Sequence, residues 1–235
     1  MTAATAGEAT TSQTGSSSVG GRLGRISGGG GLLFVLLLVV DNAIRAGAPH
    51  FGASGASVTA YAEGHRTAMV VPIALFPLGL IGLFAFTAGV VSATRADRNA
   101  RWWAQLGTLS VVTIAALFSV VNLVEAALVA DLHDLASAPE VASAMWAMDG
   151  AAFGLNLAAI AVALLGLSRA ARANGLVPAW LAGLALPGAA CLLVASVFAV
   201  PIAEGAAWLF VGLAGFLVWA LFVLITGVAL ARRPV

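Results

Sequence analysis

The chain predicts an all-α polytopic membrane protein: a six-transmembrane-helix bundle with both termini cytoplasmic. Three observations carry this. The sequence is 61% hydrophobic and only 9% charged, with a mean hydropathy of +1.02, whereas a soluble domain is about 25% charged. It holds six apolar stretches, each near the ~20 helical residues needed to cross a hydrocarbon core. Its eleven basic residues, all arginine, sort by side. Helices are preferred to a barrel because each satisfies its own backbone hydrogen bonds in lipid, and the runs lack the ten-residue alternation of barrel strands.

The spans are expected at 26–48, 69–93, 103–128, 150–167, 180–200 and 206–231. Ahead of them, residues 1–31 are rich in Ala, Thr, Ser and Gly. Such a segment has little apolar surface to bury, so a disordered cytoplasmic tail is expected before a six-helix domain over 32–233. A signal peptide is the competing reading, with Arg22 and Arg25 as its basic end, 32–40 as its apolar core and 46–48 as its cleavage site. Asp41, Asn42 and Arg45 interrupt that pattern, and an uncleaved first helix is preferred. Span two carries Pro72 and Pro77, followed by Gly79, Gly82 and Gly89. This reads as helix packing in preference to a transporter hinge.

Trp102 and Trp103 open span three and Trp180 opens span five, while Trp146 and Trp208 lie at the opposite ends. Indole rings favour that headgroup depth. Between spans three and four, Pro139 predicts the start of a short separate helix whose Val141, Met145 and Met148 would lie on the membrane surface or cap the bundle. Trp219, in the middle of span six, is expected to pack. The single cysteine, Cys191, lies inside span five, so no intrachain disulfide forms.

With six spans, Arg22, Arg25, Arg95, Arg98, Arg101, Arg169, Arg172, Arg232 and Arg233 fall on one side, and only Arg45 and Arg66 on the other. The basic side is cytoplasmic by the positive-inside rule, which predicts a multi-pass protein of the plasma membrane with the lipid bilayer as its partner. Whether a second copy or another protein also binds is left open.

Polar residues at membrane depth are costly and mark candidate sites. Asp41 and Arg45 are spaced i and i+4, Asn122 and Glu125 i and i+3, and Asp149 and Asn156 two turns apart. Each pair shares a helix face. Three helices thus present polar stripes near the outer surface, and Arg45 is expected to neutralise Glu125 or Asp149. Solvation among headgroups is the competing account for Asp41, Arg45 and Asp149. Interhelical hydrogen bonding is the competing account for Asn122, Glu125 and Asn156.

All three histidines fall in outer loops. Glu63, His65, Asp131 and His133 are ligand types suited to zinc. Their spacing matches no zinc motif, and exposed loop residues are the preferred reading. With no histidine inside a span, a haem held between helices is disfavoured. Any other cofactor is left open. The glycine run at 28–31 lacks a phosphate-loop lysine, so no nucleotide site is expected. A net charge of +1 without basic clusters argues against nucleic acid. No serine-nucleophile motif is present.

One stretch resembles a known family. After Ala152-Phe153-Gly154-Leu155 and the Arg169/Arg172 pair comes Gly175-Leu176-Val177-Pro178-Ala179-Trp180-Leu181-Ala182-Gly183-Leu184. This is similar to the Gly-Leu-Val/Ile-Pro-x-Trp-Leu-Ala motif of uncharacterised six-helix bacterial integral membrane proteins, a domain-of-unknown-function group. The likeness is strongest over 150–190, and Ala179 stands where that family has arginine. It implies a six-helix plasma-membrane protein and supplies no activity.

Three functions are therefore expected, in order. The first is a structural, regulatory or interaction role without catalysis. The second is a small-solute or proton-coupled transporter using Asn122, Glu125, Asp149 and Asn156. The third is an outer-facing, metal-dependent membrane enzyme.

Overall fold

The structure is a computed structural model that describes residues 13–94 and 97–233. Those residues form α1 (Gln13–Ile44), a 3-10 turn (Arg45–Gly47), α2 (Gly55–Gly64), α3 (Arg66–Ala93), α4 (Arg98–Ala130), α5 (Leu132–Ser137), α6 (Pro139–Ala173), α7 (Ala179–Val197), α8 (Ala199–Ala203) and α9 (Trp208–Ala231). Among them α1, α3, α4, α6, α7 and α9 are long and apolar enough to cross a membrane. The protein is an all-α bundle of the polytopic membrane type.

The six long helices close a ring in which α1 lies between α3 and α9, α3 meets α4, α4 packs along α6, and α7 bridges α6 to α9. Helix α6 is the axle. Its apolar window is 61% buried, against 28–39% for the others, because it also touches α8, α9 and the short α2. One end of the bundle gathers the arginines. There Arg233 donates to the Asn174 carbonyl at 2.9 Å, and the Arg169 guanidinium lies 5.5 Å from the Trp103 ring. Arg95 lies outside the described residues. Trp102 and Trp180 are exposed at this same end, at the depth that suits an indole.

Glycine sets how closely the helices approach at that end. A Cβ on Gly28 would sit 2.5 Å from Gly227 O, and one on Gly30 would sit 2.7 Å from Gly82 O. Between α4 and α6, a Cβ on Gly166 would sit 2.7 Å from Trp103 O. Hydrocarbon chains offer no hydrophobic drive for helix pairing, so close van der Waals contact between small residues holds these helices together.

Over 13–31, part of the stretch expected as a disordered tail, the chain is helical instead. Residues 1–12 lie outside the described residues. Gly28, Gly30 and Gly31 are packing surface, pressed onto α9 and α3. Composition read them as flexible because glycine buries no side chain of its own, whereas here it admits the neighbour's backbone.

The far end also differs from expectation. Pro139 begins α6 itself, eleven residues before the expected span at 150, instead of starting a separate short helix. Val141 and Met148 lie exposed on it while Ala142 and Trp146 are buried. Span five ends at Val197 rather than 200, followed by α8. The connection from α1 to α3 contains α2, whose Ser54 cap accepts from the Ser57 N–H at 3.3 Å and whose Gly55 N–H donates to Ser143 of α6 at 3.0 Å.

Substituting Gly28 by Val should cost about 1–3 kcal/mol through backbone overlap with α9. Replacing the neighbouring Gly29 by Ala, which meets nothing within 4 Å, should be neutral or gain up to about 1 kcal/mol of helix propensity. Equilibrium unfolding in mixed micelles checks both. Equal destabilisation by the two changes would refute glycine packing as the cause.

Candidate functional site

At the end away from the arginine cluster the long helices part, and a cavity of about 570 Å3 lies between α1, α3, α4, α6 and α9. Helical spacing builds its walls. From α1 come Phe34, Leu37, Leu38 and Asp41, and from the 3-10 turn that follows it Arg45, one stripe that turns from apolar to charged toward the rim. From α4 come Ile114, Phe118, Asn122 and Glu125, and from α6 Asp149, Phe153 and Leu157, again one face each. Helix α3 adds Pro72, Phe76, Gly79 and Leu83, and α9 adds Leu213 and Phe216. Leu83, Ile114 and Leu157 are almost fully buried, whereas Asn42 and His50 are exposed at the other end of the cavity. The site is a greasy shaft with a polar mouth.

The mouth is organised by Arg45. Its Nε donates to Asp41 Oδ1 at 2.7 Å, and its Nη1 donates to Glu125 Oε1. Glu125 is only 1% exposed. A carboxylate there without a counter-ion costs several kcal/mol, so the pair ties the end of α1 to α4. The expected neutralisation of Glu125 by Arg45 is thus present. One turn before Glu125, the Asn122 side-chain N–H donates to the Phe118 carbonyl at 2.9 Å, leaving its own Oδ1 unpartnered. Asp149 is 3% exposed, and its Oδ1 has no hydrogen-bond partner, nor has Glu125 Oε2.

A loop clasp roofs the cavity. The Trp146 indole donates to the His50 carbonyl at 3.1 Å, and the Phe51 ring lies 5.8 Å from Trp146 and 5.9 Å from Phe153. Gly52 and Gly205 interlock at φ +82 and +92. A Cβ on Gly205 would meet Phe51 O at 2.5 Å, so both space and backbone conformation require glycine there.

Of the six polar candidates, Asp41, Arg45, Asn122, Glu125 and Asp149 line this cavity. Asn156 does not. It is fully buried on α6, with neither amide atom partnered. The sequence-based metal candidates are not brought together, because no group of three or more His, Cys, Asp or Glu side chains converges among the described residues. His65 instead stacks on Tyr61 at 4.6 Å, and Glu63, Asp131 and His133 lie exposed.

Sequence reasoning missed the apolar wall and the clasp. Phe118 stands four residues before Asn122 and Phe153 four after Asp149, so the wall was readable by extending the polar faces down each helix. His50 and Phe51 carried no such signal. No family model, curated protein or solved structure matches this chain, so the motif over 175–184 remains a resemblance.

Arg45→Ala should destabilise the protein by about 3 kcal/mol, since it strands the buried Glu125 carboxylate. Adding Glu125→Gln should restore a large part of that loss. A double-mutant unfolding cycle measures the coupling, and strictly additive effects would show that the pair does not join α1 to α4.

Proposed function

We propose that this protein binds a small amphipathic molecule within the membrane and handles it as a carrier. The cavity supports this reading: about 570 Å3, walled by aromatic and aliphatic side chains, with buried polar atoms of Asn122, Glu125 and Asp149 left unpartnered at one end. Ligand sites combine such an apolar body with a few converging polar groups. Intramembrane ionisable residues mark solute paths more often than they serve packing. A purely structural or interaction role, the first expectation from sequence, needs no such cavity. The metal-enzyme reading has no convergent ligand set behind it among the described residues.

The positive-inside rule supports reading the arginine-rich end as cytoplasmic, with both termini inside and the mouth of the cavity facing out of a plasma membrane, in keeping with the resemblance to bacterial six-helix proteins.

The test uses a decyl alcohol carrying a diazirine at its tail, photolysed with the protein in phosphatidylcholine nanodiscs. Adducts are expected on Phe118, Phe153 or Leu213, displaced by excess decanol. They should be lost in Gly79→Phe, which puts a ring where glycine lines the cavity and meets nothing within 4 Å. Adducts confined to lipid-facing positions such as Leu109 and Leu123 would overturn the proposal.

A further inference from the structure

Resting on that binding reading, the chemistry of the mouth selects the ligand. Three carboxyl groups, Asp41, Glu125 and Asp149, face the cavity against one guanidinium, Arg45. Two donors of that guanidinium are already committed to Asp41 and Glu125. His50, also at the rim, has its Nδ1 2.7 Å from the Phe51 carbonyl. The site therefore has a surplus of negative groups.

Hydrogen-bonding capacity leans the same way. The buried unpartnered atoms on the cavity wall are Asn122 Oδ1, Glu125 Oε2 and Asp149 Oδ1, all acceptors. Of the nearby donors, an Asn122 side-chain N–H goes to the Phe118 carbonyl, the Trp146 indole to the His50 carbonyl, and Arg45 Nε and Nη1 to Asp41 and Glu125. Unpartnered donor-bearing groups do occur in the bundle, on Asn156 and Thr226, but neither lines the cavity. A buried acceptor without a donor carries the full cost of its desolvation. What completes the mouth is a positively charged group bearing N–H donors.

We infer that the cavity takes a cationic amphiphile of the alkylammonium class, its N–H donors on Asp149 and Glu125 and its hydrocarbon body along Phe118, Phe153 and Leu213. An ammonium group is charged at neutral pH, as lysine is, and its hydrogen bonds to carboxylate are of the strong, charge-assisted kind. An anionic head would meet three carboxyl groups instead, and repulsion of that sort excludes a wrong ligand as firmly as attraction selects the right one. A quaternary ammonium supplies the charge without the donors, so it falls between the two.

The experiment is competition against the diazirine probe in zwitterionic phosphatidylcholine nanodiscs, with each competitor corrected for its partition into protein-free discs. Decylammonium, decyltrimethylammonium and decyl sulfate share one chain and differ in the head. Decylammonium should protect the cavity residues at a concentration about tenfold or more below that of decyl sulfate, with the quaternary compound in between. In Asp149→Asn, a near-isosteric change that breaks no ion pair, the preference should shrink by about tenfold. Equal protection by all three heads overturns the inference and leaves the cavity reading standing, whereas a wild-type protein with no cavity adducts to displace removes both. The comparison on wild-type protein decides the question even if Asp149→Asn does not fold.

Discussion

The cavity-bearing half of the bundle depends on one requirement: the Glu125 carboxylate, almost fully buried in an apolar interior, needs a positive partner. Arg45 supplies it from the 3-10 turn that follows α1. That choice fixes where α1 ends, draws Asp41 in beside it, and stations α1 at the mouth of the cavity. Between this contact and the glycine contacts nearer its start, α1 lines the cavity with Phe34, Leu37 and Leu38.

The two ends of the bundle are built on opposite rules. At the arginine-rich end, glycines on α1, α3 and α9 bring backbones together. At the other end, phenylalanine and leucine face each other across a gap, with the Gly52–Gly205 clasp at its rim. A bundle packed tightly at one end and open at the other is suited to holding a molecule at a defined depth. The unpartnered acceptors near the rim set the orientation in which that molecule would sit.

Parts of the site were legible before the fold was known. Asp41 with Arg45, and Asn122 with Glu125, stand at helical spacing, so membership of one face followed from the numbering. Asn156 obeys the same spacing rule from Asp149, yet lies off the cavity wall. The wall on α6 follows Asp149, Phe153 and Leu157 in steps of four, each turning about 40° the same way, and Asn156 stands about 100° from Leu157, off that drifting stripe. The glycine run at 28–31 misled for a different reason. Its meaning depends on whether a partner helix is close enough to use the missing Cβ, and Gly82 and Gly227 are distant in sequence.

By itself the sequence determined that this is a helical membrane protein with six spans, because hydrocarbon thickness and the need to satisfy every backbone hydrogen bond act on each segment separately. It also determined which residues share each polar face, because helical periodicity is local. Only the tertiary structure decided that Arg45 chooses Glu125, that five polar residues from α1 and its following turn, α4 and α6 meet at one cavity while Asn156 does not, and that two loop glycines interlock above it. Those outcomes turn on distances between helices, and such distances are set by packing among residues far apart in the chain.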